Sequence, residues 1–228
     1  MTDEAQRQLA ARMAQLARQV AAPSSLEEVL SGVTQAALDI IPGVDAAGVL
    51  LIAKGGRFET HAGTSEVVHE LDRLQVGFGE GPCVEAAVDE LIVRTEDFQV
   101  EQRWPRFSHE VTEKGVRSAL SFKLYTSTDT AGALNLFAFE PSVFDSHAEA
   151  TGSVLAAHAA AAILASRRGE QLESALATRD VIGQAKGIIM ERFKVDAVRA
   201  FDMLRELSQT TNTKLVDVAQ RVVDTAHE

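Results

Sequence analysis

The stretch from Leu172 to Val223 limits most what this chain can become. It has no proline, and its only glycines are Gly183 and Gly187. Two short breaks, Phe193-Lys194-Val195-Asp196 and Gln209-Thr210-Thr211-Asn212-Thr213, divide it into three pieces. Apolar residues recur at helical spacing in each piece. The first carries Leu172, Leu176, Ile182, Ile189 and Phe193. The second carries Val198, Phe201, Leu204 and Leu207. The third carries Leu215, Val218, Ala219, Val222 and Val223. Asp196 and Thr213 are the expected N-caps of the second and third helices. Three helices in about fifty residues bury too little apolar surface to stand alone. They need a partner or the rest of the chain.

The run from Arg179 to Arg192, RDVIGQAKGIIMER, resembles the signature of the ANTAR family. Ala200-Phe201, Leu204-Arg205, Ser208-Gln209, Asn212-Thr213-Lys214-Leu215 and Asp217-Val218-Ala219 follow in the family's order and spacing. The resemblance covers roughly the last quarter of the chain. It implies a three-helix RNA-binding module of a transcription antitermination regulator, one that binds paired hairpins with six-nucleotide loops, usually as a dimer.

Composition narrows the class. An apolar content of 46% supports a real core in 228 residues. No basic and apolar leader opens the chain and no long apolar run interrupts it, which predicts neither secretion nor a membrane span. The single cysteine, Cys83, excludes an internal disulfide and fits a reducing cytoplasm. The formal charge of −11 opposes indiscriminate coating of nucleic acid. From Ser174 onward, however, eight basic residues balance eight acidic ones, so the preceding residues carry the whole excess. An acidic body on a neutral tail is the distribution expected if only the tail meets phosphate. It is equally that of many ordinary acidic proteins.

Upstream, residues 3–22 are predicted to form a helix with a heptad-like seam of Leu9, Met13, Leu16 and Val20, a dimerisation device. Ser25-Leu26-Glu27-Glu28 is a capping box that opens the next helix, which stops at Pro42-Gly43. Strands are expected over 46–53 and 57–62, joined by a Lys54-Gly55-Gly56 turn. A helix follows over 64–75, then the loop Gly77-Phe78-Gly79-Glu80-Gly81-Pro82-Cys83 and a short helix through Val88. Next come a strand over 91–94, a helix over 106–113, and strands over 118–125 and 131–139. From Ala148 an alanine-rich helix is predicted to run on into the first ANTAR-like helix, with Gly169 the expected place for a bend. This order resembles a GAF domain over residues 24–165, and Gly79 to Cys83 resembles a segment of actinobacterial GAF domains fused to ANTAR. The expected fold class is therefore α+β: an antiparallel GAF-like sheet flanked by helices, then a long helix leading into a three-helix bundle. The expected domains are 1–23, 24–165 and 166–228.

The chemistry-bearing residues are few. Cys83 near a helix start has the makings of a thiolate, but a lone cysteine under a glycine loop is more often a small buried hydrophobe. The six histidines form no close-spaced metal motif, so no metal or cofactor is expected. Residues 77–81 lack the Lys-Ser/Thr of a phosphate loop. Arg179, Lys186 and Arg192 fall at steps of seven and six on one helix, read as one broad face. Arg205 and Lys214 join them if the helices fold back. Each can meet a phosphate, and arginine can also stack on or fork to a loop base. Gln184, Thr211 and Asn212 are candidates for reading base edges. Gly187 is expected to permit close approach of a helix or of RNA.

Together, the two resemblances imply a non-enzymatic cytoplasmic regulator. The partners they imply are RNA bearing tandem hairpins, a second copy of the chain, and an unidentified small-molecule ligand of the GAF-like domain. Three alternatives stand beside this reading: a helix-turn-helix DNA-binding repressor, a GAF-type thiol redox protein acting at Cys83, and a signalling module with a non-nucleic partner.

Overall fold

The structure is a computed structural model, and it describes residues 11, 14, 25–52, 57–88, 91–125 and 130–225. The Leu9, Met13, Leu16 and Val20 seam and the Lys54-Gly55-Gly56 turn lie outside the described residues. The chain divides into two compact units, Met1–Ser166 and Arg167–Glu228.

In the first unit, helix α1 (Leu26–Ile40) opens with a reciprocal capping box. The Glu28 amide donates to Ser25 Oγ at 3.2 Å, and the Ser25 amide to Glu28 Oε2 at 2.8 Å. Strands β1 (Ala46–Ile52) and β2 (Phe58–His61) follow, then helices α2 (Glu66–Phe78) and α3 (Pro82–Val88). Strand β3 (Ile92–Thr95), helix α4 (Pro105–Glu113) and strands β4 (Ser118–Tyr125) and β5 (Thr130–Ala138) complete the sheet. All pairings are antiparallel, in the order β2-β1-β5-β4-β3.

Strand β1 is buried on both faces, so it reads as an unbroken apolar run, AAGVLLI, rather than an alternating one. Ala47, Val49 and Leu51 face α1 and the start of helix α5 (Ser146–Phe193), where Leu30, Val33, Leu155, Ala159 and Ile163 complete one core. Ala46 belongs to the opposite core, with Val68, Leu71, Phe107, Val111 and Phe137 from α2, α4 and β5. Gly132 sits beside β1 with φ 152°, and a Cβ there would stand 1.9 Å from Leu50 O. Only glycine fits that crossing.

Helix α5 is 48 residues long and runs through Gly169 into the second unit. Contrary to the expectation of no long apolar run, it holds a window long and apolar enough to cross a membrane (mean hydropathy 1.3), of which 44% is buried within the protein. Leu155, Ala159 and Ile163 account for that composition as core residues.

The second unit combines the later part of α5 with α6 (Ala197–Thr211) and α7 (Leu215–Asp224). Asp196 caps α6 as expected, accepting from the amides of Val198 at 3.0 Å and Arg199 at 2.8 Å. Thr213 does not cap α7. The N-cap is Lys214, whose carbonyl receives the amides of Asp217 and Val218, while the Thr213 hydroxyl donates to Thr211 O. The core is Ala185, Ile189, Ala200, Leu204, Val218, Ala219 and Val223. It uses alanines where the helices meet. Several larger residues of the apolar pattern, Leu172, Leu176, Phe193, Val198, Phe201 and Leu207, stay outside it and exposed.

Candidate nucleic-acid interface

The helical period sorts the basic residues of the second unit. Arg179 and Lys186 are seven apart on α5, about 20° from one another around the axis. Arg192 is about 120° from Lys186 and Gln184 about 160°, so the single broad face expected for Arg179, Lys186 and Arg192 narrows to the first two. On α6, Phe201, Arg205, Ser208 and Asn212 fall within about 60° of each other, beside the buried Ala200 and Leu204 stripe. The two faces meet: Lys186 Nζ lies 6.0 Å from the centroid of the Phe201 ring.

Charge pairing separates the cations further. Among the described residues, Arg179, Lys186, Arg192 and Lys214 have no ion pair. Arg205 holds Asp202 at 3.0 Å, three residues away on the exposed surface. Such a pair contributes roughly 0–1 kcal/mol and is readily exchanged for a phosphate. Arg199 pairs with Glu206 at 3.2 Å on another side of α6.

Two expected base readers have structural work as well. Asn212 is the left-handed C-cap of α6, φ 49°, a conformation asparagine tolerates well. Thr211 donates its hydroxyl to Leu207 O at 2.7 Å. Both remain exposed at the end of α6, next to Lys214. Gly187 and Gly183 lie one turn apart on α5, and a Cβ added at either meets nothing within 4 Å. Nothing in their own unit requires the missing side chain.

The first unit encloses a buried polar cluster that sequence reasoning missed. Asp72 on α2 accepts from Thr60 Oγ1 at 2.9 Å, from Asn135 Nδ2 at 3.3 Å and from Gln75 Nε2 at 3.4 Å. Ser121 donates to Asn135 Oδ1 at 2.8 Å, and the Cys83 amide donates to Gln75 Oε1 at 2.8 Å. Burial raises the Asp72 carboxyl to about 7, against the lowering effect of its hydrogen bonds. The available signal was periodicity: Asp72 and Gln75 follow Val68 by four and seven residues, on the buried stripe of α2.

Cys83 is fully enclosed beside this cluster, and burial pushes its thiol up, with the Asp72 charge adding to the effect. A thiol so placed is not a ready nucleophile. The loop before it is a brace. Glu80 accepts from the Arg106 amide at 2.9 Å, the Phe107 amide at 3.2 Å and Arg106 Nε at 2.8 Å, holding the start of α4. Gly81, φ 127°, leaves the space that Gln75 fills. Among the described residues, no group of three or more His, Cys, Asp or Glu is placed to hold a metal ion.

Comparison with known proteins accords with this division. Residues 23–164 match the GAF domain family, more than half of the chain. The chain belongs to the GAF domain family. Residues 170–223 match the ANTAR domain, so the GAF domain is followed by an ANTAR domain. That pairing marks a regulator, with RNA-binding antitermination as the ANTAR function and the GAF domain as the sensor. No curated protein matches the chain. Among solved structures, the GAF domain of a phosphoenolpyruvate-protein phosphotransferase from Coxiella burnetii is 22% identical, with TM-score 0.57 over 72% of this chain and 98% of that one. The free methionine-R-sulfoxide reductase from Neisseria meningitidis, in complex with its substrate, is 16% identical, with TM-score 0.54 over 74% of this chain and 95% of that one. A bacteriophytochrome from the photosynthetic bacterium R. palustris is 10% identical, with TM-score 0.58 over 90% of this chain and 46% of that one. At these identities the likeness is one of fold.

Proposed function

We propose that this regulator works in the cytoplasm and binds paired RNA hairpins with six-nucleotide loops in nascent transcripts, holding them so that a terminator does not form. The observation that carries this reading is the approach of Lys186, which has no ion pair among the described residues, to the exposed Phe201 ring, with Arg205 one turn further along the same face of α6. Arg179, Lys186 and Arg205 supply phosphate contacts there, with Asn212, Thr211 and Lys214 at the edge and Gly187 allowing close approach. Arg192 and Gln184 lie on other sides of α5 and meet a second strand or hairpin. A-form grooves are hard for side chains to read, so sequence information comes from unpaired loop bases.

Two hairpins suit two ANTAR domains in a homodimer, because the second contact then forms at high effective concentration. A small molecule taken up by the GAF domain regulates binding by favouring one arrangement of the helices over another. No catalytic step is required. Sequencing the RNA recovered with the protein from cells tests the function: paired hairpins should dominate the recovered transcripts. Recovery of DNA, or of RNA without such pairs, would contradict it.

A further inference from the structure

The second unit contains two aromatic residues, Phe193 and Phe201, and neither is in its core. A bundle this small gains most by burying its largest apolar side chains, at roughly 25 cal/mol per Å². Here the core is alanine, valine, leucine and isoleucine, and both rings stand outside it, Phe193 at 57% and Phe201 at 36% exposed. Phe201 is also the ring over which Lys186 extends its ammonium group, 6.0 Å from the centroid. Arg205 is one turn further along the same face of α6. A flat apolar ring flanked by two cations presents what an unpaired nucleotide offers in return: a base face to stack and a phosphate to neutralise.

We propose that Phe201 is a base-stacking platform for one unpaired nucleotide of an RNA hairpin loop, and that Lys186 covers the ring in the free protein. On binding, the base takes the place of the ammonium, which turns to the phosphate of the same or the adjacent nucleotide. Phe201 thereby selects single-stranded loops over continuous duplex, because a base within a helix has no free face. This inference rests on the RNA-binding reading and adds a residue and a nucleotide class to it.

The test uses the full chain and a synthetic RNA of two hairpins with six-nucleotide loops. Phe201→Leu removes the ring and keeps apolar bulk, while Phe201→Tyr keeps the ring; circular dichroism verifies that both remain helical. Phe201→Leu should weaken binding by on the order of ten- to hundredfold, and Phe201→Tyr should bind as wild type. Removing one base at a time from the loop should then identify a position whose loss weakens the wild type by a similar factor and leaves Phe201→Leu unchanged. Such non-additivity is the signature of direct contact. Equal binding by Phe201→Leu would overturn the proposal while leaving RNA recognition standing, as would base losses that simply add to that substitution at every position. A change in oligomeric state without a change in RNA affinity would assign the ring to a protein contact and overturn it too. Failure of the wild type to bind the RNA would remove the underlying reading instead.

Discussion

Asp72→Asn probes the buried cluster of the GAF domain most directly. The carboxyl is raised from its ordinary 3.8 to about 7, chiefly by burial. The folded state thus favours the proton, and stability should be fully present below about pH 4 and lost as pH rises toward 7. A shift of about three units at 1.36 kcal/mol each gives a loss of about 4 kcal/mol, an upper figure because solvent relaxation reduces it. Asparagine keeps the shape. Its Oδ1 can accept from Asn135 and Gln75, and its amide can donate to the Thr60 hydroxyl, which then accepts. Urea unfolding of both proteins from pH 5 to pH 8 measures the effect. The variant should be more stable than wild type by about 1–2 kcal/mol at pH 5 and by about 3–4 kcal/mol at about pH 8. Parallel pH profiles would refute the claim that Asp72 is ionised at a cost in the folded protein.

Other consequences are equally open to measurement. Cys83 should resist a thiol reagent at about pH 8 in the native protein and react at once in urea, since burial and not backbone sequence suppresses the thiolate. Rapid native labelling would contradict that. Gly132→Ala should destabilise by about 3 kcal/mol or more, or abolish folding, because a Cβ would stand 1.9 Å from Leu50 O; a melting temperature equal to wild type would overturn the geometry. Light scattering should report a dimer across the micromolar range, and a monomer at every concentration would remove the paired-hairpin argument.

Much of the GAF fold was legible because its signals are local. The capping box at Ser25 and Glu28, the apolar run of β1 and the unbroken helical pattern after Ser146 each specify an element without knowledge of distant contacts. The ANTAR core was less legible. Counting large apolar residues at helical spacing selects Leu172, Leu176, Phe193, Val198 and Phe201, yet all five are exposed. The close approach of helices is made at Ala185, Ala200 and Ala219, whose small size weakens their signal in such a count. The Asp72 cluster was hidden for a different reason. Its members come from β2, α2, β4 and β5, and only the assembled sheet brings Thr60 and Asn135 to the Asp72 carboxylate, with Ser121 behind Asn135. At the candidate interface, composition supplied the cations, but the single broad face read for Arg179, Lys186 and Arg192 was too generous, since a step of six leaves Arg192 about 120° from Lys186. The pairing of Lys186 with Phe201 required the fold.

Equilibrium binding of the full chain to paired-hairpin RNA, with Lys186→Ala measured beside wild type over a range of salt, tests the central claim. Wild type should bind the RNA well above a duplex DNA of equal length. Lys186→Ala should bind more weakly, and its dependence on log salt should be shallower by about one unit, because one fewer phosphate is neutralised. Equal affinity for the two nucleic acids, or a variant matching wild type in both affinity and salt slope, would contradict the account.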